Sequence, residues 1–361
     1  MRRYGDLWLQ ICDRDNLDKA AKKACKSRKD KVEVAAFLAD RDRKLEELRL
    51  IMLNNQYHSS SYRIFIASDR GKRREIADLP LYPDRIAHWA VALVVEPLLN
   101  KRIIPQSHAS RKRQGAHSAV KQLYGYIQND PKVRYALKMD VSKFFPSIDK
   151  GLLKQMIRRY IKDPDLLFWF DCLIDEYPFP GIPIGNRTSP LLANLYLSSV
   201  DNLMKQQYHC HYYVRYMDDI IILGYSKPWL HQQRENIAEA LAEKGLKLKG
   251  NWQVFPIDDR GIDFVGYRVF TDHILLRKST KTRMKRKLSD IRERQKAGEE
   301  LTIHDKGTLS SYNGVLKWCD SYKLRRRNFY KIERDLEYHR PQPLIDRSIS
   351  QFYTYQMEVS A

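Results

Sequence analysis

The residues that most constrain what this chain can become are YVRYMDDIIILG, positions 213 to 224. Tyrosine, valine and isoleucine favour strands, so the stretch predicts a hairpin whose tight connection carries Met217, Asp218 and Asp219. The flanking runs want to be buried, whereas two adjacent carboxylates need water or a cation. The acids are therefore expected at a sheet edge, facing a ligand. Aspartate is also a common turn residue, because its side chain bonds nearby backbone, so the pair alone does not establish a function.

Composition narrows the partner. A chain of 361 residues at 43% hydrophobic content has ample core for one large or two to three small domains. A formal net charge of +21 and a pI near 9.6 imply self-repulsion that a polyanion would relieve, and nucleic acid is the natural one. The longest apolar runs, WAVALVV and IIIL, fall far short of the roughly 18 to 20 residues a membrane span needs. No membrane partner is expected. Cys12, Cys25, Cys172, Cys210 and Cys319 show no C-x-x-C pairing, so neither a zinc site nor a disulfide framework is suggested, and they read as reduced cytoplasmic thiols. The opening MRRYGDLWLQICDRD has too broken an apolar stretch for a signal peptide.

Along the chain, apolar spacing from Leu17 to about Asn54 predicts two helices. YRIFIASDRGKRREIADLP predicts a hairpin with a basic loop at Arg70, Lys72, Arg73 and Arg74, a solvated turn or a phosphate clamp. A helix opened by Pro83 and Asp84 follows, then the basic loop SHASRKRQGAHSAV. RYALKMD predicts a strand ending at Asp140, and Pro146 with Ser147 the start of a helix running through KGLLKQMIRRYI. In GIPIGNRTSPLLANLY, the glycines and Pro183 predict a loop and Ser189 an N-cap. Pro190 is then the first residue of a helix with Leu192, Leu195, Ser199 and Leu203 on one stripe. Its N-terminus could dock a phosphate. A helix around ENIAEALAEKGLKL and a second hairpin, IDFVGYRVFTDHILLRK, complete this part. From Arg277 to Lys296 ten of twenty residues are Lys or Arg, and YKLRRRNFYK interleaves aromatic rings with charge. That density favours phosphate-backbone binding over a merely solvated face, with stacking on bases a weaker inference.

Asp140, like Asp218 and Asp219, follows a strand-like run. If those strands share a sheet, three carboxylates meet at one edge. Two unit charges about 4 Å apart repel by about 4 kcal/mol at an effective dielectric near 20, so the cluster stays ionised only beside cations. Oxygen-only ligands select hard ions such as magnesium. Two such ions roughly 3.5 to 4 Å apart suit in-line attack on a phosphate, which is polymerase chemistry.

The ordered set KMDVSKFF, GIPIGNRTSPLLANLY, YMDD, GLKLKGNWQV and FVGYRV resembles the palm motifs of reverse transcriptases. RGKRREIADLP and SHASRKRQGAHSA resemble their fingers, and the likeness spans about residues 35 to 325. It implies an α+β right-hand polymerase with an antiparallel palm sheet packed on helices. Residues 1–55 would be a basic helical extension and 56–135 the fingers. The palm would run over 136–275, with fingers elements interleaved at about 150–185, and residues 276–361 would form a helical thumb and tail.

By that resemblance Asp140, Asp218 and Asp219 are catalytic and hold two Mg2+ ions, Mn2+ being able to substitute, with Val141 lending a carbonyl. Arg74, Lys72, Ile184 and Gly185 contact the incoming deoxynucleotide, and Phe145 is the aromatic gate against a ribose 2′-hydroxyl. Arg111, Lys112, Arg113 and Arg187 face nucleic acid, as do Gly266 and Tyr267 of the primer grip and Lys281, Lys285, Arg286 and Lys287 of the thumb.

Among bacterial and phage members the chain is most similar to reverse transcriptases of diversity-generating retroelements, through NWQVFPIDDRGIDFVGYRVFTDHILLRKS and SYNGVLKWCDSYKL. Ile184 stands where intron and retroviral relatives carry Gln, implying looser base selection, while Pro190 matches intron enzymes. The implied partners are a structured noncoding template RNA, a primer, the cDNA product and dNTPs, with a small basic accessory oligomer as a further candidate. The alternative readings are a phage-defence reverse transcriptase with its own noncoding RNA, or a catalytically idle RNA-binding or maturase-like protein.

Overall fold

The computed structural model describes residues 3–26, 28, 30–69 and 72–329, without the side chains of Asp69 and Lys72. Arg70 and the tail beyond 329, including Tyr330 and Lys331, lie outside the described residues. The chain divides into two compact units, one of Met1–Ala119 with Val133–Phe255, the other of Val120–Lys132 with Pro256–Ala361.

The first unit begins with helices Trp8–Ile11, Arg14–Cys25, Val32–Ala39 and Arg41–Leu53. The 17–54 stretch thus holds three helices where periodicity suggested two, because Asp40, at φ −134° and ψ 35°, breaks the helical path. Asp13 caps Arg14–Cys25 by accepting from the amides of Asp15 and Asn16. The buried stripe Leu17, Ala20, Ala21 and Ala24 packs that helix on Ile86–Leu99. Asp84 does not cap the latter helix. Its buried carboxylate instead accepts from the Tyr57 hydroxyl at 2.7 Å and the Ser60 amide at 3.1 Å.

Strands β1 (Arg63–Asp69) and β2 (Lys72–Asp78) form an antiparallel ribbon in the register Arg63↔Asp78, with Ile64, Phe65 and Ile66 exposed. The main sheet contains β3 (Tyr135–Asp140), β4 (Tyr213–Tyr216), β5 (Asp219–Gly224) and β6 (Gln253–Pro256), in the order β4-β5-β3-β6. Ile220 to Leu223 are buried, and helix Lys227–Ala242 packs on β3 and β5. Pro146 and Ser147 lie in a short 3-10 turn, Phe145–Ser147. The helix proper, Lys150–Arg158, starts after Asp149, whose carboxylate takes the Leu152 amide. Helix Ser189–Asn202 has Thr188, not Ser189, at its N-cap; the Thr188 hydroxyl is bonded to His88 Nδ1 at 2.9 Å instead of capping.

In the second unit, β7 (Ile262–Phe264), β8 (Tyr267–Val269) and β9 (Ile274–Leu276) make a three-stranded meander rather than a single hairpin. Val265 and Gly266, both at positive φ, form the two-residue turn between β7 and β8. Helices Lys278–Lys296, Ile303–Leu316 and Tyr322–Asn328 follow. The first of these buries only Met284, Leu288 and Ile291, at spacings of four and three, leaving its other faces for charge. Among the described residues no helix is long and apolar enough to cross a membrane.

Candidate active site and nucleic-acid interface

Strand pairing brings the three acids to one end of the main sheet. Asp140 and Asp219 are direct antiparallel partners, so their side chains leave the same face. Tyr216 pairs with Asp219, leaving Met217 and Asp218 as a two-residue connection; Asp219 opens β5 rather than belonging to the turn. Met217 has φ 58°, a left-handed conformation that a hairpin turn of this length demands and that a side chain resists. The Val141 amide donates to the Asp218 carbonyl at 3.1 Å, tying the end of β3 to the turn.

Burial and neighbouring charge set the electrostatics at this end of the sheet. Burial, then the hydrogen bond and charge of neighbouring Asp140, push the Asp218 carboxyl up to about 6. Asp140 Oδ1 is buried and makes no hydrogen bond with the described residues. Its Oδ2 contacts Lys249 Nζ, and the Lys249 amide donates to the Asp140 carbonyl at 2.8 Å. Lys138 Nζ stands 3.9 Å from Asp219 Oδ2. Ammonium groups thus balance two of the acids, and among the described residues no three His, Cys, Asp or Glu side chains form a ready metal cage. The donor set nevertheless fits a hard divalent ion: carboxylate oxygens only, Asp140 Oδ1 among them without a hydrogen bond, and an Asp218 carboxyl that holds its proton more tightly than usual. An ion entering here competes with the lysines for the carboxylates.

The loop before helix Ser189–Asn202 gathers a second group. The Ala77 amide of β2 donates to the Ile184 carbonyl at 2.8 Å. Gly185, at φ 137°, lies so close to the Ala77 carbonyl that a Cβ would approach it to 2.4 Å. Ile182 donates its amide to the Phe145 carbonyl at 3.1 Å, and Phe145 packs edge-on against buried Phe144 with ring centroids 5.5 Å apart. Arg74 is exposed on β2, three residues before Ala77, and the Lys72 side chain is outside the described set.

The predicted nucleic-acid contacts separate by environment. Arg111 is turned inward, donating to the carbonyls of Ile104 and Ser107 at 2.7 Å each and to Gln114 at 3.2 Å. It organises its loop, while Lys112 and Arg113 beside it are exposed. Arg187 pairs with Glu96 and lies over the Trp89 ring at 4.4 Å. Gly266 is buried in the β7–β8 turn, and Tyr267 is a core residue whose hydroxyl donates to the Val315 carbonyl at 3.0 Å. Lys281, Lys285, Arg286 and Lys287 are exposed on Lys278–Lys296.

The sequence pattern assigned nothing to Arg215, Asp201 or Asn194, which form a buried polar cluster under the Met217–Asp218 turn. The available signal was an arginine inside an apolar strand, which must find a partner to be buried.

An antiparallel sheet carrying acids at one end, with helices on its face, is the α+β frame of the right-hand polymerases. The model of the reverse transcriptase (RNA-dependent DNA polymerase) family matches residues 68–269, and the chain belongs to that family. It is 26% identical over 176 residues to protein YkfC of Escherichia coli K12, covering 45% of this chain and 46% of YkfC. Against the group II intron-encoded protein LtrA of Lactococcus lactis it is 26% identical over 153 residues, 40% of this chain and 25% of LtrA. The retron Ec73 reverse transcriptase of Escherichia coli is 28% identical over 229 residues, 57% of this chain and 70% of the retron protein. The chain thus spans less than half the length of the first two of these relatives.

Proposed function

We propose that this protein is an RNA-directed DNA polymerase that joins deoxynucleotides by two-metal phosphoryl transfer at Asp140, Asp218 and Asp219. The observation that carries the reading is the pairing of Asp140 with Asp219 next to a half-buried Asp218 whose carboxyl is pushed up to about 6. Divalent ions held there would activate the primer hydroxyl and stabilise the leaving pyrophosphate, with Mg2+ the natural choice for all-oxygen donors. This chain's own residues bring the acids together, hold the turn and tie the Ile184 loop to β2. In this reading Phe145 selects the sugar and Arg74 meets the triphosphate. Lys112, Arg113 and the exposed cations of Lys278–Lys296 hold the RNA.

The template is proposed to be a dedicated structured noncoding RNA. The sequence likeness to diversity-generating retroelement enzymes, with Ile184 in place of an amide, supports error-prone copying. The intron and retron relatives fit a maturase-like or defence role as well.

One experiment tests both levels: extension of a DNA primer on an RNA template with Mg2+ and dNTPs, followed by sequencing of the cDNA. Wild type should extend, and Asp218→Asn should lose about three orders of magnitude in rate, corresponding to about 4 kcal/mol of transition-state stabilisation. Normal extension by Asp218→Asn would sink the catalytic assignment. A wild-type error rate no higher than that of an accurate control polymerase would sink the infidelity reading alone.

A further inference from the structure

Beneath the acid-bearing turn lies a group of polar side chains that packing alone does not require. Arg215 is fully buried in β4. Its Nε donates to Asp201 Oδ1 at 2.7 Å and its Nη2 to Asp201 Oδ2 at 2.6 Å, a two-pronged pair with no solvent access on either side. Nη1 reaches Asn194 Oδ1 at 3.1 Å and the Met217 carbonyl at 2.9 Å. The Tyr213 hydroxyl donates to Asp201 Oδ1 at 2.7 Å. Asn194, Ser198 and Asp201, all buried, follow a four- and three-residue spacing and so share one face of Ser189–Asn202.

The cluster also gathers the edge of the sheet. The Arg215 amide donates to the Gln106 carbonyl and its carbonyl accepts from the His108 amide, both at 2.9 Å. Asn194 donates to the Ala109 carbonyl at 2.9 Å and accepts from the Ser107 hydroxyl at 3.3 Å. One side chain on the helix and one on the strand thus join the helix, the strand, the segment 106–109 and the turn.

Burying an ion pair is a poor way to gain stability, because desolvating both charges offsets much of their attraction. Such a pair is better suited to fixing one geometry among several. Here the geometry at stake is specific: Met217 is left-handed without being glycine, and its carbonyl is held by Arg215 one residue before Asp218. Without that donor, the turn can relax toward conformations a methionine prefers, and relaxation there rotates the Asp218 carboxylate away from Asp140. Lysine could not replace the arginine, since one ammonium cannot serve both oxygens of Asp201 and two further acceptors in different directions.

We propose that Arg215 is a positioning residue for Asp218: by anchoring the Met217 carbonyl to the Asp201–Asn194 face of the helix, it keeps the acids in a metal-binding arrangement. The proposal rests on the reading of Asp218 as a metal-holding acid. Arg215 touches neither substrate nor ion and acts only through the turn.

The test uses the full chain and two variants. Arg215→Lys keeps the charge and loses the geometry. The triple variant Asp201→Leu, Tyr213→Phe and Arg215→Met replaces the cluster by apolar groups, an exchange that is often neutral or stabilising, so it keeps a folded protein in hand if Arg215→Lys does not fold. Primer-extension kcat, RNA–primer affinity and Mn2+ binding followed by electron paramagnetic resonance are measured on each. The expected result is a kcat at least tenfold lower and Mn2+ binding at least fivefold weaker, with RNA affinity within threefold of wild type. Adding Met217→Asn, a residue that accepts the left-handed conformation, to the triple variant should recover at least threefold in kcat and Mn2+ affinity. A folded variant whose Mn2+ affinity is within fivefold of wild type overturns the proposal, as does the absence of any recovery with Met217→Asn. Should wild type itself fail to extend a primer, the polymerase reading fails, and the Mn2+ measurement alone decides the positioning role.

Discussion

Two sets of cations in this protein have opposite physical lives. Arg215 is buried with its hydrogen bonds directed at Asp201, Asn194 and Met217. Lys281, Lys285, Arg286 and Lys287 of Lys278–Lys296 stand in water, with only Met284, Leu288 and Ile291 of that helix in the core. The first set specifies a shape and tolerates no rearrangement. The second supplies a field, to which a polyanion can adapt in many poses. Chemical similarity between the residues says nothing of this difference; their surroundings decide it.

The comparison breaks most readily at Asp201. Asp201→Ala leaves a buried guanidinium without its counter-charge and should destabilise the protein by about 3–5 kcal/mol in chemical denaturation. A loss under about 1 kcal/mol would mean that the cluster is not a rigid element.

Proton linkage at Asp218 comes next in size. Its folded carboxyl titrates at about 6 against an ordinary 3.8, chiefly through burial and then Asp140. Between about pH 4 and 6 the folded state therefore keeps a proton that the unfolded state has lost. Stability of the metal-free protein falls as pH rises through that window, by about 3 kcal/mol for a shift of this size, and levels off above it. Melting curves with chelator should show the decline in wild type and its loss in Asp218→Asn. Divalent ions at pH 7 should restore stability to wild type alone. An Asp218→Asn protein with the wild-type slope would contradict the assignment of the proton.

The smallest effect on folding belongs to the exposed set. Reversing Lys285, Arg286 and Lys287 to Glu should change stability by no more than about 0.5 kcal/mol, as surface substitutions usually do. RNA affinity should nevertheless drop, and the plot of log K against log salt should become shallower by about 0.7 for each phosphate that the helix no longer neutralises. An unchanged salt slope would remove this helix from the RNA-binding surface.

What could be read from sequence alone follows the same division. The β4–β5 hairpin was legible because strand-favouring residues stand on both sides of the acids, with Arg215 the one charge inside the strands' runs. The neighbouring β3 was legible as a strand-like run ending at Asp140, whereas the register that pairs Asp140 with Asp219 is set by contacts between strands that no local pattern encodes. Exposed Lys112, Arg113 and Lys285 could be placed on a surface by charge density alone. Arg111 and Arg187 could not be told from them, because their inward bonds to loop carbonyls and to Glu96 depend on contacts distant in sequence or on loop geometry that no local pattern encodes. Helix starts were misread for a related reason. Pro146, Ser147 and Ser189 carry good local start signals, but Asp149 outcompetes the first two by capping through the Leu152 amide, and Thr188, at the other N-cap, gives its hydroxyl to His88, far away in sequence. The Asn194–Asp201–Arg215 cluster stayed hidden because Arg215 signals only that it needs a partner, and its partners sit on a helix that reads as ordinary core.

The hold on the 184–185 segment separates freedom from constraint at adjacent positions. Ile184 is fastened through its own carbonyl to the Ala77 amide, a link indifferent to the side chain, whereas Gly185 leaves no room for even a methyl. Residue 184 can therefore be exchanged without disturbing the peptide that carries it. A lineage could vary that side chain while the glycine beside it anchors the loop in place.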